Sequence, residues 1–213
     1  GNGWNGFLIK RALLFSLLFL QGCNSFNSIA QKQIDLIKDP YYFTLNNIPK
    51  SKVPRHIVSI NNGDERIITP SNTYNKNDIT WRFSEDITYK ITNGKIIKTN
   101  GLDNDIDIKK YKDFNINDLQ NLDEVRTSAL IKFSNPETTY LQINYSYKLM
   151  KKGIINDRLG YATKLTLIEE SFNIPLIKWS GKNYFWINDK NIIIKTKQLV
   201  EPLGTKIRID ILN

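Results

Sequence analysis

The chain has 213 residues, 40% of them hydrophobic, with four Trp, ten Tyr and ten Phe; this is ample for one packed domain or two small ones and excludes a disordered tail. Its formal charge of +9, from 30 basic and 21 acidic side chains, comes with no Lys/Arg cluster denser than pairs such as Lys109-Lys110 and Lys151-Lys152. The charge therefore reads as a solvated surface and not as a nucleic-acid footprint. One Cys and one His exclude an internal disulfide framework and a Cys/His zinc centre.

In chain order, GNGWNG carries no initiating Met and fits no part of an export leader, so it stands outside the fold reasoning. Lys10-Arg11, the apolar run ALLFSLLFL at 12–20 and the short exit Gln21-Gly22 then lead to Cys23. Nine apolar-rich residues are too few to span a bilayer but suit a secretory leader. An ordinary leader ends in an A-x-A-like site, whereas Leu20-Gln21-Gly22-Cys23 resembles the lipobox of bacterial lipoproteins. That resemblance implies removal of residues 1–22, a diacylglyceryl thioether on the Cys23 thiol and an acyl group on its new amino terminus. Each buried CH₂ contributes about 0.8 kcal/mol and two or more chains anchor stably. Loss of Lys10 and Arg11 lowers the formal charge to 28 − 21 = +7.

Residues 23–40 read as a tether with a short helix, capped by Asn27 or Ser28, carrying Ile29, Ile34 and Ile37, and stopped by Asp39-Pro40. The remainder, 41–213, reads as one β-rich domain. Asn93-Gly94 between two β-favouring runs at 87–99 predicts a hairpin, because both turn positions need positive φ. Residues 138–149 alternate, with Thr139, Leu141, Ile143, Tyr145, Tyr147 and Leu149 on one face. Further strands are expected at 163–169 and 183–187, and in the terminal TKIRIDIL, where Ile207, Ile209 and Ile211 point in and Lys206, Arg208 and Asp210 point out. The polar stretch 109–126 reads as an excursion between two strand groups, with room for a short helix. Such a pattern predicts a mainly β, antiparallel fold whose sheet curls into a barrel or half-barrel to protect its edges.

The residues offer little chemistry. His56, between Arg55 and Ile57, reads as a surface or strand-edge residue with no G-x-S-x-G elbow to pair with. Asp103, Asp105 and Asp107 have the spacing of a calcium loop, but Ile108 replaces its glycine. Glu169 and Glu170 are adjacent on a strand and so point to opposite faces, which prevents them flanking one glycosidic bond. WSGK at 179–182 lacks the first glycine of a phosphate loop. Trp179, Tyr184 and Trp186 are the candidate glycan contacts; with Phe185 they form an aromatic cluster that serves either a core or a sugar platform. No catalytic residue, metal ligand or cofactor is expected, apart from the lipid on Cys23.

Trp81, Asn93-Gly94-Lys95-Ile96-Ile97-Lys98-Thr99, Gly101-Leu102 and Asp105-Ile106 together resemble the core of the GfcB/YjbF family of capsule-polysaccharide lipoproteins. A second block is similar: Trp179, Tyr184, Trp186 and Asp189, then Lys195, Gln198, Leu199 and Gly204. The chain departs from the family pattern at Asn191 and Thr196, where Gly and Ser are usual. The resemblance implies a barrel-like lipoprotein of the outer membrane, facing the periplasm, with a non-catalytic role in exporting or assembling an exopolysaccharide alongside other envelope proteins. By lipoprotein analogy, Asn24 favours transfer to the outer membrane. A periplasmic module that grips glycan or lipid in an aromatic and basic cleft is the alternative.

Overall fold

Alternating apolar and polar residues, broken by short polar turns, leave the chain little choice but antiparallel strands. The computed structural model describes residues 51–71, 79–156 and 162–212; the expected leader, Cys23 and the helix expected before residue 40 lie outside them. The strands are β1 (Arg55–Ile60), β2 (Arg66–Ile68), β3 (Thr80–Arg82), β4 (Thr88–Thr92), β5 (Lys95–Asn100), β6 (Ile106–Lys109), β7 (Val125–Phe133), β8 (Leu141–Asn156), β9 (Ala162–Ile174), β10 (Trp179–Ile187), β11 (Ile193–Leu199) and β12 (Lys206–Leu212). One helix, α1 (Ile116–Asn121), sits between β6 and β7.

All twelve strands belong to one sheet in the order β2-β1-β12-β11-β10-β9-β8-β7-β6-β5-β4-β3. Each pairing is antiparallel, and every neighbour is a neighbour in sequence except β1 and β12, which join the two ends of the domain. The sheet edges β2 and β3 then approach each other. Pro70 bridges Trp81, the Ser71 amide donates to the Thr80 carbonyl at 2.9 Å and the Arg66 guanidinium reaches the Phe83 carbonyl at 3.4 Å. A sheet that meets itself this way is a nearly closed up-and-down barrel, with its exposed edges largely removed. The fold expected from the sequence is the fold observed.

A round barrel of twelve strands would be wide enough to leave a lumen. Here one continuous apolar cluster runs from Val58 through Tyr89, Ile131, Phe172 and Phe185 to Ile209, so opposite walls meet and the barrel is flattened. The Asn93-Gly94 hairpin shows how closely. Its residues have φ of 42° and 77°, as the Asn-Gly signal requires, and a Cβ on Gly94 would lie 2.6 Å from Cγ2 of Ile193 in β11. Glycine is required there for space as well as for its backbone.

Several sequence expectations shift in detail. Thr139 is exposed because residues 134–138 form a turn, closed by the Thr138 amide on the Phe133 carbonyl at 3.1 Å, and the strand starts only at Leu141. Leu141, Ile143, Tyr145 and Tyr147 are buried as expected. Strands β9 and β10 extend well beyond 163–169 and 183–187, because each is paired along its whole length. Asp210 is buried and not solvated; it faces Ile57 and Lys195 across the ladders, where the opposite charge is favourable. The excursion at 109–126 does not separate two sheets, since β6 and β7 pair directly from Ile106 with Phe133 to Lys109 with Leu130. It contains α1, capped by the Asn115 side chain on the Asn117 amide at 2.9 Å and seated by buried Leu119.

The loop from β5 to β6 leaves no room for a side chain at its glycine. Gly101 has φ of 92°, and an added Cβ would lie 1.9 Å from the Asp86 carbonyl oxygen. Gly101→Ala is expected to cost at least about 2 kcal/mol in urea denaturation. Gly153→Ala, where a Cβ meets nothing within 4 Å, should cost far less.

Candidate functional site

Three strands that alternate correctly still place polar side chains inside. Lys95 opens β5, Glu170 lies in the middle of β9 and Asn183 in β10, and all three are buried. Lys95 Nζ pairs with Glu170 Oε1, which also accepts from Asn183 Nδ2 at 2.5 Å. The Lys95 ammonium stands 4.8 Å over the Tyr145 ring, where the π face favours a cation. Asn183 Oδ1 accepts from the Leu199 amide at 2.7 Å. Gln198, also buried, accepts from the Ile96 amide at 3.0 Å and donates to the Gly94 carbonyl at 2.6 Å. β5 is thus tied through the interior to β9, β10 and β11, strands that it does not touch in the sheet.

The ammonium and carboxylate neutralise each other, with Glu170 Oε1 held by both Lys95 and Asn183, while Glu170 Oε2 is buried without a hydrogen-bond partner among the described residues. Burial first, and then the Glu170 charge, pushes the Tyr111, Tyr145 and Tyr147 phenols above their ordinary range. The adjoining cleft is lined by Lys95, Tyr145, Phe172, Trp179, Asn183 and Gln198 among others, and leaves about 10 Å³, the room of one water molecule.

The sequence-predicted aromatics do not converge. Trp179 faces inward at this cleft, with its ring 4.7 Å from Phe172 and 5.7 Å from Phe133. Tyr184 and Trp186 lie on the opposite face of β10 with Leu165, Leu167 and Ile194, and Lys195 Nζ stands 5.1 Å from the Trp186 ring. Period-two alternation explains the split. Glu169 and Glu170 separate for the same reason: Glu170 is interior, whereas Glu169 pairs with exposed Lys182 at 2.8 Å.

His56 is a correction. It is buried, not at a surface or edge: its ring stacks on Trp81 at 3.3 Å and its Nδ1 lies 2.8 Å from the Tyr89 hydroxyl. Because β1 closes the barrel against β12, a strand that looks terminal in sequence is central in space. Burial pushes the His56 pKa down to about 3, so it is neutral at physiological pH. Asp105, read from its spacing as part of a weak calcium pattern, has its carboxylate occupied by Thr99 Oγ1 and the amides of Gly101 and Leu102, at 2.9–3.0 Å. Among the described residues no three His, Cys, Asp or Glu side chains gather to hold a metal.

Sequence reasoning missed the interior cluster, although Lys95 and Gln198 were among the residues that carried the family resemblance. Those residues are the ties of the barrel. Trp81 stacks at the seam, Asn93-Gly94 turns, Lys95 and Gln198 cross the interior, and Thr99, Gly101, Leu102 and Asp105 close one loop. Asn191, where the family usually has Gly, takes φ of 60°, a conformation that Asn tolerates better than most residues.

Removing one partner of a buried ion pair is expected to be severe. Lys95→Met, which strands the Glu170 charge, should lose about 3–5 kcal/mol in urea denaturation, and Lys95→Met with Glu170→Leu should recover much of it. A loss below about 1 kcal/mol, the level of a surface pair, would remove the cluster from its structural role. The acid limb reports on His56. Its folded pKa lies below its unfolded value of 6.5, so its contribution is complete above pH 6.5. That contribution declines by up to about 1.4 kcal/mol per pH unit as pH falls toward 3. His56→Gln should flatten that part of the stability profile.

The family model described as group 4 capsule polysaccharide lipoprotein gfcB, YjbF matches residues 18–212. No curated protein matches. Among solved structures, the hypothetical lipoprotein YmcC from Escherichia coli K12 shares the fold at a TM-score of 0.61 and 13% identity, over 76% of this chain and 85% of that one. A putative lipoprotein from Parabacteroides distasonis aligns at a TM-score of 0.36 and 12% identity, over 77% and 95%. With a family match that covers all but the first 17 residues and the last one, the chain belongs to the YjbF family of group 4 capsule polysaccharide lipoproteins.

Proposed function

We propose that the protein is an outer-membrane lipoprotein, held by acyl chains on Cys23 with its barrel in the periplasm. There it serves as a non-catalytic accessory subunit in exporting or assembling an exopolysaccharide or capsule. The observation that carries this reading is the use made of the family-type residues. Lys95, Asp105 and Gln198 spend hydrogen bonds, and Trp81 its stacking face, on holding the barrel together. A site built to bind and turn over a sugar would keep such groups convergent and accessible.

The cleft supports the same choice over a glycan-binding module. Room for one water cannot admit a sugar ring, and the aromatics that might have formed a platform are divided between two faces of β10. With this cleft too small for a sugar ring, the outer surfaces of the barrel are what it offers, which suits a subunit that works by contact with other envelope proteins of the secretion machinery. The lipobox supports the location, because two or more acyl chains bind a bilayer stably whereas one does so marginally.

Deleting the protein from its own bacterium is expected to reduce polysaccharide at the cell surface, with polymer or precursor retained inside. Restoring it as Cys23→Ser should yield a folded chain without acyl groups by mass spectrometry, absent from sedimented membranes and unable to restore export. Acylation of that variant, or full export without the protein, would defeat the proposal.

A further inference from the structure

Turns are ordinarily made of Gly, Pro, Asn, Asp and Ser, because those residues supply the conformations and face water. Two turns of this barrel break that pattern in the same way. Between β9 and β10 the chain reads Pro175-Leu176-Ile177-Lys178, and between β11 and β12 it reads Glu201-Pro202-Leu203-Gly204. Leu176 is 78% exposed, Leu203 69% and Ile177 41%. A single exposed leucine needs no explanation, but a cluster does. In the order β9-β10-β11-β12, hairpin turns alternate between ends, so these two lie on one rim. They stand two strand spacings apart, about 10 Å.

Both turns are rigidly built. Glu201 is fully buried, and its carboxylate accepts from the Leu203 amide at 2.6 Å and the Thr205 amide at 2.7 Å. The Gly204 amide adds a bond to the Glu201 carbonyl at 3.1 Å, and the Val200 amide one to the Thr205 carbonyl at 3.0 Å. The other turn is a single 3-10 turn over Pro175–Ile177, closed by the Lys178 amide on the Pro175 carbonyl at 3.2 Å, with Lys178 at φ of 52°. A buried carboxylate devoted to shaping an exposed leucine turn holds that leucine ready, and a preorganised contact loses little entropy on binding.

The position of the rim and its charge select the occupant. β1 runs from Arg55, opposite Leu212, to Ile60, opposite Ile207, so the chain preceding β1 joins the barrel at the end away from Leu176 and Leu203. Other turns on the leucine rim expose Asp64, Glu85, Asp86, Asp103 and Glu137 together with Arg66 and Arg82, so the rim as a whole is nearly balanced in charge and gives an anionic phospholipid surface no net attraction. Lys178 and Lys206, both exposed, flank the leucines. We propose that this rim docks an envelope protein, with Leu176, Ile177 and Leu203 seated in an apolar groove of the partner whose border carries carboxylates facing Lys178 and Lys206. The assignment rests on the accessory-subunit reading and names the surface through which that subunit acts.

The test places a photoreactive benzoyl-phenylalanine at position 203, and separately at 176, in the lipidated full-length protein in its native cells. Both probes should give an adduct of the same mass with one envelope protein, whereas a probe at exposed Ile154, near the opposite end, should not. Leu176→Asp should lower the adduct from position 203 about tenfold, as expected for an anchoring side chain. Leu176→Asp with Leu203→Asp should stay folded, acylated and membrane-bound, yet fail to restore surface polysaccharide. Adducts with lipid, adducts with a second copy, no adduct, or full restoration by the double variant would each overturn the docking rim. If deletion of the whole protein leaves polysaccharide untouched, the accessory reading itself fails. If deletion matters and the double variant restores export, only the rim fails.

Discussion

The flattened barrel depends on polar bonds that cross its interior. Gln198 between the Gly94 carbonyl and the Ile96 amide, and Lys95 against Glu170, supply the directional bonds that hold β5 over β9 to β11. Apolar side chains of about the right volume specify the meeting of two walls more loosely than directional polar bonds do. A buried ion pair adds little net stability over an apolar substitute, so its value here lies in fixing which part of one wall meets which part of the other. The Asn93-Gly94 turn belongs to the same device, because only a glycine lets the β5 end approach Ile193 this closely.

The closure of the sheet follows the same logic. β1 and β12 pair along six residues, whereas among the described residues β2 and β3 meet through one bridge and a few bonds. That seam is lined from within by His56 stacked on Trp81 and bonded to Tyr89. The protein's one histidine, the residue type most often used for proton transfer, is here a neutral aromatic slab. That use of His56, with the ties made by the family-type residues, leaves the outer surfaces and rims as the parts free to act.

Much of the fold was legible because strand alternation and Asn-Gly turns are local signals. Residues 141–147 show the expected inward face, and the hairpin at 93–94 has the expected positive φ. Glu169 and Glu170 divide between faces as adjacency demands. The grouping of Trp179, Tyr184 and Trp186 was misleading because closeness in sequence competes with alternation in a strand, and alternation wins. His56 was misread because its partners, Trp81 and Tyr89, lie on strands that reach it only when the sheet closes.

From its residues alone this chain fixes its class, its mainly antiparallel strands and its family-type motifs, since each is written in neighbours a few positions apart. Only the folded state decides that Lys95 meets Glu170, that Gln198 spans the interior and that two leucine turns share a rim. The two contacts join residues 75 and 104 positions apart in the sequence, and the shared rim brings together turns 27 positions apart; no local propensity carries information over such distances, and the closure of the sheet sets them.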